Sequence, residues 1–394
     1  MENTTCRVIL KKGRSKSVQN RHPWIFSGAI EAISGKYEHG DLVSVASADG
    51  KFLAKGFLNP KSQIRLRLLT FAEETITPEF FRKRISTAAK LRKQMVKGDT
   101  NAYRLIHSDG DFLPGLIVDR YADALAVQFN SLGMVRLKSE IVEILKELFS
   151  PEIIVERNHS RALKEEGLPA VKEVLHGTVD GNIDIVENGI KFQVDLLEGQ
   201  KTGFFLDQRE NRQLIGELAA GKKLLNCFAY SGGFSIYAAL QKAETTSQDI
   251  SGDALKLART NFALNKLDPE KHEFSGGTAF DYLRALKKNE FEVIVLDPPA
   301  FVKNKQAVNR GARGYKDINR VAIQKIKSGG LLLTCSCSAY VNWDLFQKIV
   351  FSAAQEAGRQ VQIIARPGQP GDHPINIYHP EGEYLKTLLL RIWD

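Results

Sequence analysis

The sequence predicts an α/β protein in which a doubly wound parallel sheet follows a small β-barrel and an α+β middle region. From about residue 189 onward, strands alternate with helices, which is typical of a doubly wound sheet. Short β-like runs separated by turns occupy residues 1–72, and residues 73–185 mix both kinds of element. Because 394 residues exceed what one compact core accommodates, we expect three domains, at 1–72, 73–185 and 186–394.

The barrel is predicted from alternating and turn-forming residues. Apolar side chains alternate with Arg65 and Arg67 over residues 64–68, which indicates a half-buried strand with a basic outer face. Asp49-Gly50 lies between two β-like runs and is a favourable hairpin turn. The spacing of these runs fits a small basic β-barrel.

The middle region is predicted to begin with a helix. Thr77 and Pro78 are typical of an N-cap and a first helical turn. The helix is expected to reach about Val96 and to carry many Lys and Arg residues. Beyond it, the sequence predicts further elements, namely strands near 115–118, 124–129 and 153–156 and a helix over about 133–148.

Positive charge is concentrated in the first quarter of the chain. The formal net charge is +9. Residues 1–100 contain 19 Lys and Arg against 9 Asp and Glu, whereas residues 101–394 contain 36 against 37. This asymmetry indicates a module that binds a polyanion, attached to a nearly neutral body. A basic surface without a specific partner is the alternative.

Composition excludes several classes of protein. No run approaches eighteen consecutive apolar residues, so no transmembrane helix is expected, and residues 1–6 lack the pattern of a secretion signal. Four cysteines in so long a chain predict reduced thiols and a cytoplasmic location rather than a disulfide framework. No second Cys pair or nearby His accompanies Cys335 and Cys337, so no metal site is expected.

A glycine-containing turn follows the first strand of the predicted parallel sheet. The strand at 224–228 leads through Gly232 and Gly233 into a helix, an arrangement that lets a cofactor approach the backbone. The turn matches the dinucleotide fingerprint poorly, which argues against NAD. Asp249 ends the second strand, where a carboxylate can bind both hydroxyls of a ribose. We therefore favour a nucleoside-containing cofactor over a purely structural turn.

Two later strands end in residues suited to chemistry on a pyrimidine. Asp297 follows the apolar run 291–296, and Cys337 follows the run 331–334. Because parallel strands place their carboxyl ends at one edge of the sheet, the two side chains are expected to share a crevice. A thiolate that adds to carbon 6 of cytosine makes carbon 5 nucleophilic, while an acid binds the opposite edge. The structural alternatives are a turn-capping Asp297 and two core cysteines, Cys335 and Cys337.

Five motifs follow one another in an order typical of a known family, at 201–212, 226–233, 297–301, 313–319 and 336–338. They resemble the S-adenosylmethionine-dependent 5-methylcytosine methyltransferases of bacterial large-subunit (23S) rRNA. Residues 22–28 and 59–65 are similar to that family's N-terminal PUA domain, an RNA-binding barrel. The resemblance covers nearly the whole chain. It implies a Rossmann-like class I methyltransferase domain preceded by a PUA-like barrel and a middle domain.

The resemblance also implies a role for each matching residue. Cys337 would be the nucleophile, with Cys335 as the less favoured alternative, and Asp297 would hold the flipped cytosine. S-adenosylmethionine would be bound by Phe205, Asp207, Arg209, Asn226, Phe228, Ala229, Tyr230, Gly232, Gly233, Asp249, Thr278 and Asp297. The RNA would be contacted by Arg21, His22, Arg65, Arg67, Pro298, Pro299 and Phe301.

One position departs from the family pattern. An acidic residue that usually binds the adenine amine is replaced by Thr278, and Asp281 comes three residues later. Two alternatives to cytosine methylation stay open. One is a methyltransferase acting on a base nitrogen, such as a guanine amine, and the other is a non-catalytic rRNA-binding assembly factor. The expected partner is large-subunit rRNA, without a membrane, and a homodimer stays open.

Overall fold

The computed structural model describes residues 6–158 and 162–394, which form two compact units. The first unit comprises the described residues up to Asn188, Val194–Leu206 and Gly371–Gly382. The second unit comprises Gly189–Gln193, Asp207–Pro370 and Glu383–Asp394. The finer division into three domains stays a prediction. No helix in the described residues is long and apolar enough to cross a bilayer.

A six-stranded sheet forms the N-terminal part of the first unit. Its elements are β1 (Arg7–Leu10), α1 (Lys16–Gln19), β2 (Trp24–Phe26), β3 (Ile30–Ser34), β4 (Leu42–Ala46), β5 (Phe52–Leu58) and β6 (Ile64–Thr70). The strand order is β2-β6-β5-β4-β1-β3, with β1 and β4 parallel and the other neighbours antiparallel. Gly50 has a φ of +85° between β4 and β5, which confirms the predicted hairpin turn. Alternate residues such as Val8, Val45 and Leu66 form its buried core.

The rest of the first unit is an α+β arrangement. Its elements are α2 (Pro78–Met95), β7 (Ala102–His107), β8 (Leu116–Tyr121), β9 (Ala124–Phe129), α3 (Leu132–Arg136), α4 (Lys138–Phe149), β10 (Ile153–Asn158), α5 (Ala162–Glu166), β11 (Val171–His176) and β12 (Ile183–Glu187). The strand order is β11-β10-β9-β8-β7. Thr77 precedes α2 in an extended conformation, as predicted for its N-cap. One basic residue of α2, Arg92, is buried because it pairs with Asp111 through two hydrogen bonds of 2.6 and 2.7 Å.

The elements that follow form strands and helices in alternation. They are β13 (Ile190–Val194), α6 (Arg209–Leu218), β14 (Lys223–Cys227), α7 (Gly233–Leu240), β15 (Glu244–Asp249), α8 (Gly252–Leu264), β16 (Glu273–Gly276), α9 (Ala279–Ala285), β17 (Val293–Leu296), α10 (Val308–Lys325), β18 (Leu331–Ser336), α11 (Trp343–Ala357), β19 (Gln360–Ala365) and β20 (Lys386–Trp393).

The second unit contains a seven-stranded sheet in the order β16-β15-β14-β17-β18-β20-β19. Its first five strands are parallel, and β20 is antiparallel to both β18 and β19. All four residues of β17 are fully buried because helices cover both faces of the sheet. The order of strands reverses between β14 and β17. Open α/β sheets bind ligands at the carboxyl ends of the strands beside such a switch point.

Candidate active site

The turn that follows β14 has an unusual backbone conformation. Phe228 and Tyr230 have φ angles of +62° and +46°, and Gly232 has +79°. Bulky residues rarely adopt positive φ, and the strain persists only where neighbouring contacts enforce it. One such contact is the hydrogen bond of 3.0 Å from the Ala229 N–H to the Gln248 carbonyl oxygen. The turn is therefore a fixed piece of backbone at the switch point.

Two glycines allow helices to pack closely against this turn. A Cβ on Gly232 would lie 3.0 Å from the Cβ of Ala258. A Cβ on Gly233 would lie only 2.7 Å from the Cδ of Arg212. Both positions therefore favour glycine for steric reasons, which the sequence motif alone does not reveal.

Asp249 fixes the turn from the end of β15. Its Oδ2 accepts a hydrogen bond of 2.8 Å from the Tyr230 N–H, and its Oδ1 accepts one of 2.9 Å from the Ser251 N–H. Each carboxylate oxygen has further acceptor capacity. The half-buried carboxylate is thus oriented beside the turn and is able to accept from the two hydroxyls of a ribose.

A buried polar cluster lies below the turn. Ser235 of α7 accepts hydrogen bonds from the Asn226 side-chain amide at 3.1 Å and from the Ser247 hydroxyl at 2.7 Å. Among the described residues the Oδ1 atom of Asn226 has no hydrogen-bond partner. A buried amide oxygen in this state favours an additional donor, such as the amino group of the predicted cofactor.

Thr278 is the N-cap residue of α9. Its hydroxyl oxygen accepts from the Asp281 N–H at 3.2 Å and donates to the Asp281 carboxylate at 2.6 Å. Thr278 and Asp281 thus start α9 together, and both are exposed. A further role of Thr278 in cofactor binding stays a prediction.

The Asp297-Pro298-Pro299 loop directly follows β17. Asp297 is half-buried, Pro298 is buried and Pro299 is exposed. Further along the loop, the ring of Phe301 packs against that of Tyr315 on α10, with 4.7 Å between the centroids. The loop that begins with Asp297 is therefore anchored to α10 through Phe301.

The two candidate cysteines occupy different environments. Because β18 ends at Ser336, Cys335 belongs to the strand and Cys337 follows it. Burial raises the pKa of the fully buried Cys335 thiol well above its usual range, and the Asp297 carboxylate raises it further. Cys337 is partly exposed, and its thiol donates to the Pro298 carbonyl oxygen over 3.9 Å. The fold therefore brings Cys337 to the loop of Asp297.

The residue after Cys337 is held by buried contacts. The Ser338 hydroxyl lies 2.9 Å from that of Tyr315 and accepts a hydrogen bond of 3.2 Å from the Val302 N–H. The Ser338 carbonyl oxygen accepts one of 2.9 Å from the Lys386 ammonium group. Burial raises the pKa of Tyr315, so its hydroxyl stays protonated. The β17 loop, α10 and β20 together determine where Cys337 lies.

The segment expected to close over the cofactor is divided between the units. Phe205 belongs to the first unit, where the Lys201 ammonium lies 4.4 Å from the centroid of its ring. Asp207 and Arg209 belong to the second unit and are buried. Asp207 accepts a hydrogen bond of 2.7 Å from the Tyr384 hydroxyl. Cofactor contacts of this segment stay predictions.

The basic candidates for RNA contact also differ in their surroundings. Arg21 is exposed and Arg65 is partly exposed. His22 lies 3.5 Å from the carboxylate of Glu381. The guanidinium of Arg67 is paired at 2.9 Å with a carboxylate that is almost fully buried, that of Glu166. Arg67 therefore links elements within the first unit, and its guanidinium is engaged rather than presented to a phosphate.

Three residues at the site were not predicted from the sequence as site residues. Tyr315 and Lys386 position the peptide that follows Cys337. Ile250 directly follows Asp249 and is 74% exposed, which offers an apolar surface to the flat face of a base. The pattern of strands and turns in the sequence does not mark Lys386 or Ile250 as site residues. Tyr315, in contrast, belongs to the motif at 313–319.

Comparisons with known proteins agree with this geometry. Residues 162–391 match the model of an S-adenosylmethionine-dependent methyltransferase family, and residues 8–71 match that of a PUA-like domain. A methyltransferase solved in complex with SAH is 25% identical, with a TM-score of 0.85 over 98% of this chain and 99% of that one. The fold and the site define an S-adenosylmethionine-dependent methyltransferase with an N-terminal PUA-like domain.

Relatives in sequence narrow the class. The chain is 45% identical to the ribosomal RNA large subunit methyltransferase I of Shewanella amazonensis, over 98% of this chain and 99% of the relative. It is 43% identical to the protein of the same name from Pseudoalteromonas atlantica, with the same coverage. The chain belongs to the ribosomal RNA large subunit methyltransferase I family.

Proposed function

We propose that this protein transfers a methyl group from S-adenosylmethionine to carbon 5 of a cytosine in large-subunit rRNA, through a covalent adduct of Cys337. The observation that carries the proposal is the placement of the two cysteines. The Cys337 thiol is partly exposed and lies against the loop of Asp297, whereas Cys335 is fully buried. The RNA class is supported by the names of the relatives, which are large-subunit rRNA methyltransferases.

The residues beside the switch point fit the cofactor. The Oδ1 of Asn226, which lacks a hydrogen-bond partner in the described ranges, suits the amino group of the methionine part. The turn through Gly232 allows the cofactor to approach the backbone. Asp249 suits the ribose hydroxyls, and the exposed Ile250 suits the adenine face. These residues bind and orient the cofactor without themselves reacting.

Cys337 performs the covalent steps. Its thiol loses a proton to solvent, and the thiolate adds to carbon 6, which breaks the π bond and leaves the electron pair on carbon 5. When bound, S-adenosylmethionine supplies an electrophilic methyl group, which carbon 5 takes while the sulfonium sulfur keeps the bond electrons. The proton on carbon 5 leaves to water or another base in the crevice. The double bond then re-forms, and Cys337 departs as a thiolate.

Asp297 binds the edge of the base opposite the thiol. Its carboxylate accepts from the exocyclic amine or from a protonated N3, which stabilises the charge that develops when sulfur adds to the ring. Pro298 and Pro299 restrict the φ angles of this loop, so that the carboxylate keeps its orientation. The cytosine must leave its stack to reach the crevice.

Nucleoside analysis of methylated rRNA tests the proposal. The purified protein is incubated with S-adenosylmethionine and unmodified large-subunit rRNA, which is then digested and analysed by mass spectrometry. We expect 5-methylcytidine from the wild type and from Cys335→Ala, and none from Cys337→Ala. A methylated base nitrogen would identify the alternative enzyme class. RNA binding without any methylation would identify a non-catalytic assembly factor.

A further inference from the structure

Lys386 is a buried lysine beside the candidate nucleophile. It is the first residue of β20, and only 2% of its surface is exposed. Its ammonium group donates to the carbonyl oxygens of Ser338 at 2.9 Å and Tyr384 at 2.6 Å. Both acceptors are neutral, and within the described part of the chain Lys386 forms no ion pair with a carboxylate. A lysine this deeply buried is uncommon unless a partner compensates for its charge.

The strand register places this charge at the end of β18. Lys386 is paired with Ser336 across the antiparallel β18–β20 ladder, and Cys337 is the first residue after β18. Burial lowers the pKa of Lys386 to about 8, while the Cys337 thiol, followed by Glu383, acts in the opposite direction. The geometry agrees with this, because the ammonium group binds the carbonyl oxygen of Ser338, the residue after Cys337. Glu383 is exposed, so solvent weakens its effect on the lysine.

Several groups near the thiol favour its neutral form. The S–H group donates to the Pro298 carbonyl oxygen, and this hydrogen bond is lost when the proton leaves. Asp297 carries a negative charge on the same loop, and Cys335 and Tyr315 are buried groups whose own ionisation would oppose that of Cys337. A nearby positive charge favours ionisation of such a thiol.

Resting on the proposed function, we propose that Lys386 is a positioning residue for the nucleophile. Its ammonium group fixes the Ser338 carbonyl and, with it, the turn that carries Cys337, and its charge stabilises the thiolate of Cys337. The lysine keeps its proton throughout, because the thiol proton leaves to solvent. The same charge stabilises the thiolate that departs when the product is released. Burying the Lys386 ammonium costs stability. Stabilisation of the Cys337 thiolate explains why the charge is nevertheless buried there.

Alkylation of Cys337 measures this effect without RNA or methyl transfer. The full-length protein is treated with iodoacetamide across a pH series, and the rate of modification is followed by mass spectrometry of the peptide that contains Cys337. For the wild type we expect a midpoint below about 8.5, the value of an ordinary thiol. In Lys386→Met the midpoint should rise by about one unit, so that alkylation near neutral pH slows about tenfold.

Lys222→Met is the matched control. Lys222 also donates to a backbone carbonyl, that of Leu218 at 2.6 Å. It directly precedes β14 and therefore lies at the amino ends of the parallel strands, whereas Cys337 lies at their carboxyl ends. Its substitution should leave the alkylation profile of Cys337 unchanged. Retained binding of S-adenosylmethionine in calorimetry shows that each variant is folded.

Two results would overturn the inference. One is an unchanged midpoint in a folded Lys386→Met variant. The other is a wild-type midpoint at or above about 8.5, which decides the matter even where the variant does not fold. Because neither readout involves methyl transfer, failure of this inference is distinguishable from failure of the proposed function. Full methylation by Cys337→Ala would refute the proposed covalent mechanism. It would not affect the inference that Lys386 lowers the alkylation midpoint of Cys337.

Discussion

The hydroxyl group of Tyr315 lies 2.9 Å from that of Ser338, the residue that follows Cys337. Tyr315 is fully buried on α10, and Ser338 is fully buried two residues after the end of β18. The helix α10, which connects β17 to β18, therefore contacts the turn that contains Cys337. Interactions at this point are expected to affect catalysis as well as stability.

Tyr315→Phe should slow methyl transfer and moderately reduce stability. Loss of the hydroxyl removes its buried hydrogen bonds with Ser338 at 2.9 Å and with the Phe301 N–H at 3.5 Å, each worth about 1 kcal/mol in the free energy of unfolding. The turn that carries Cys337 gains freedom, so we expect kcat to fall about tenfold or more. Urea unfolding and single-turnover methylation measure the two effects. Tyr282→Phe, which removes a partly buried hydroxyl 3.5 Å from Glu273 and away from the turn of Cys337, should leave methyl transfer unchanged.

Gly233→Ala should weaken binding of S-adenosylmethionine. Its new Cβ would approach the Arg212 Cδ to 2.7 Å, and relief of this overlap costs about 1–3 kcal/mol. The comparison is Gly252→Ala at the start of α8, where a Cβ meets nothing within 4 Å. Calorimetric titration with the cofactor should show weaker binding only in the first variant. Equal affinities in both would mean that the turn does not approach the cofactor.

Asp249→Asn should also reduce cofactor affinity. The substitution replaces one carboxylate oxygen of Asp249 with an NH2 group, which is a donor. This donor would face the backbone N–H of either Tyr230 or Ser251, and the contact with the ribose would be disturbed. We expect a loss of affinity of about tenfold or more, or about 1.4 kcal/mol. Asp268→Asn is the control, because Asp268 accepts from a backbone N–H at 3.1 Å in an exposed turn. Unaltered binding by Asp249→Asn would contradict the assigned role.

The stability of the protein should depend on the charge of Lys386. Its folded pKa of about 8 lies below the ordinary 10.5, so between these values the unfolded state binds more protons and stability rises with pH. The gain over that interval is on the order of 3 kcal/mol. Measuring the difference in unfolding free energy between wild type and Lys386→Met cancels the titration of groups whose pKa the substitution leaves unchanged, and the alkylation profile measures the shift of the Cys337 thiol separately. A difference that stays constant from pH 8 to 10.5 would show that the lysine is not electrostatically strained.

The sequence predicted the parts of this site that depend on strand order. Asp297 and Cys337 follow β17 and β18, and any parallel pairing of those strands brings their carboxyl ends together. The alternation of strands and helices likewise predicted the doubly wound sheet. These features depend on hydrophobic periodicity, which can be recognised within a short segment without knowledge of its tertiary contacts.

Other features depend on contacts between distant segments. The helix α10 was not predicted, because glycines at 311 and 314 weaken its intrinsic propensity, and it forms by burying Tyr315 and Ile318 on the sheet. The role of Lys386 requires the antiparallel register of β20 against β18. Positive φ at Phe228 and Tyr230 is imposed by β15 rather than by their residue types.

The covalent role of Cys337 is tested most directly by RNA that contains 5-fluorocytidine at the target position. Fluorine cannot leave carbon 5 as a cation, so the methylated adduct cannot break down, and protein and RNA stay joined. With S-adenosylmethionine present, we expect a denaturation-resistant complex for the wild type and Cys335→Ala, with the nucleotide attached to the Cys337 peptide. Attachment elsewhere, or no complex from a wild-type protein that methylates ordinary RNA at carbon 5, would contradict the account.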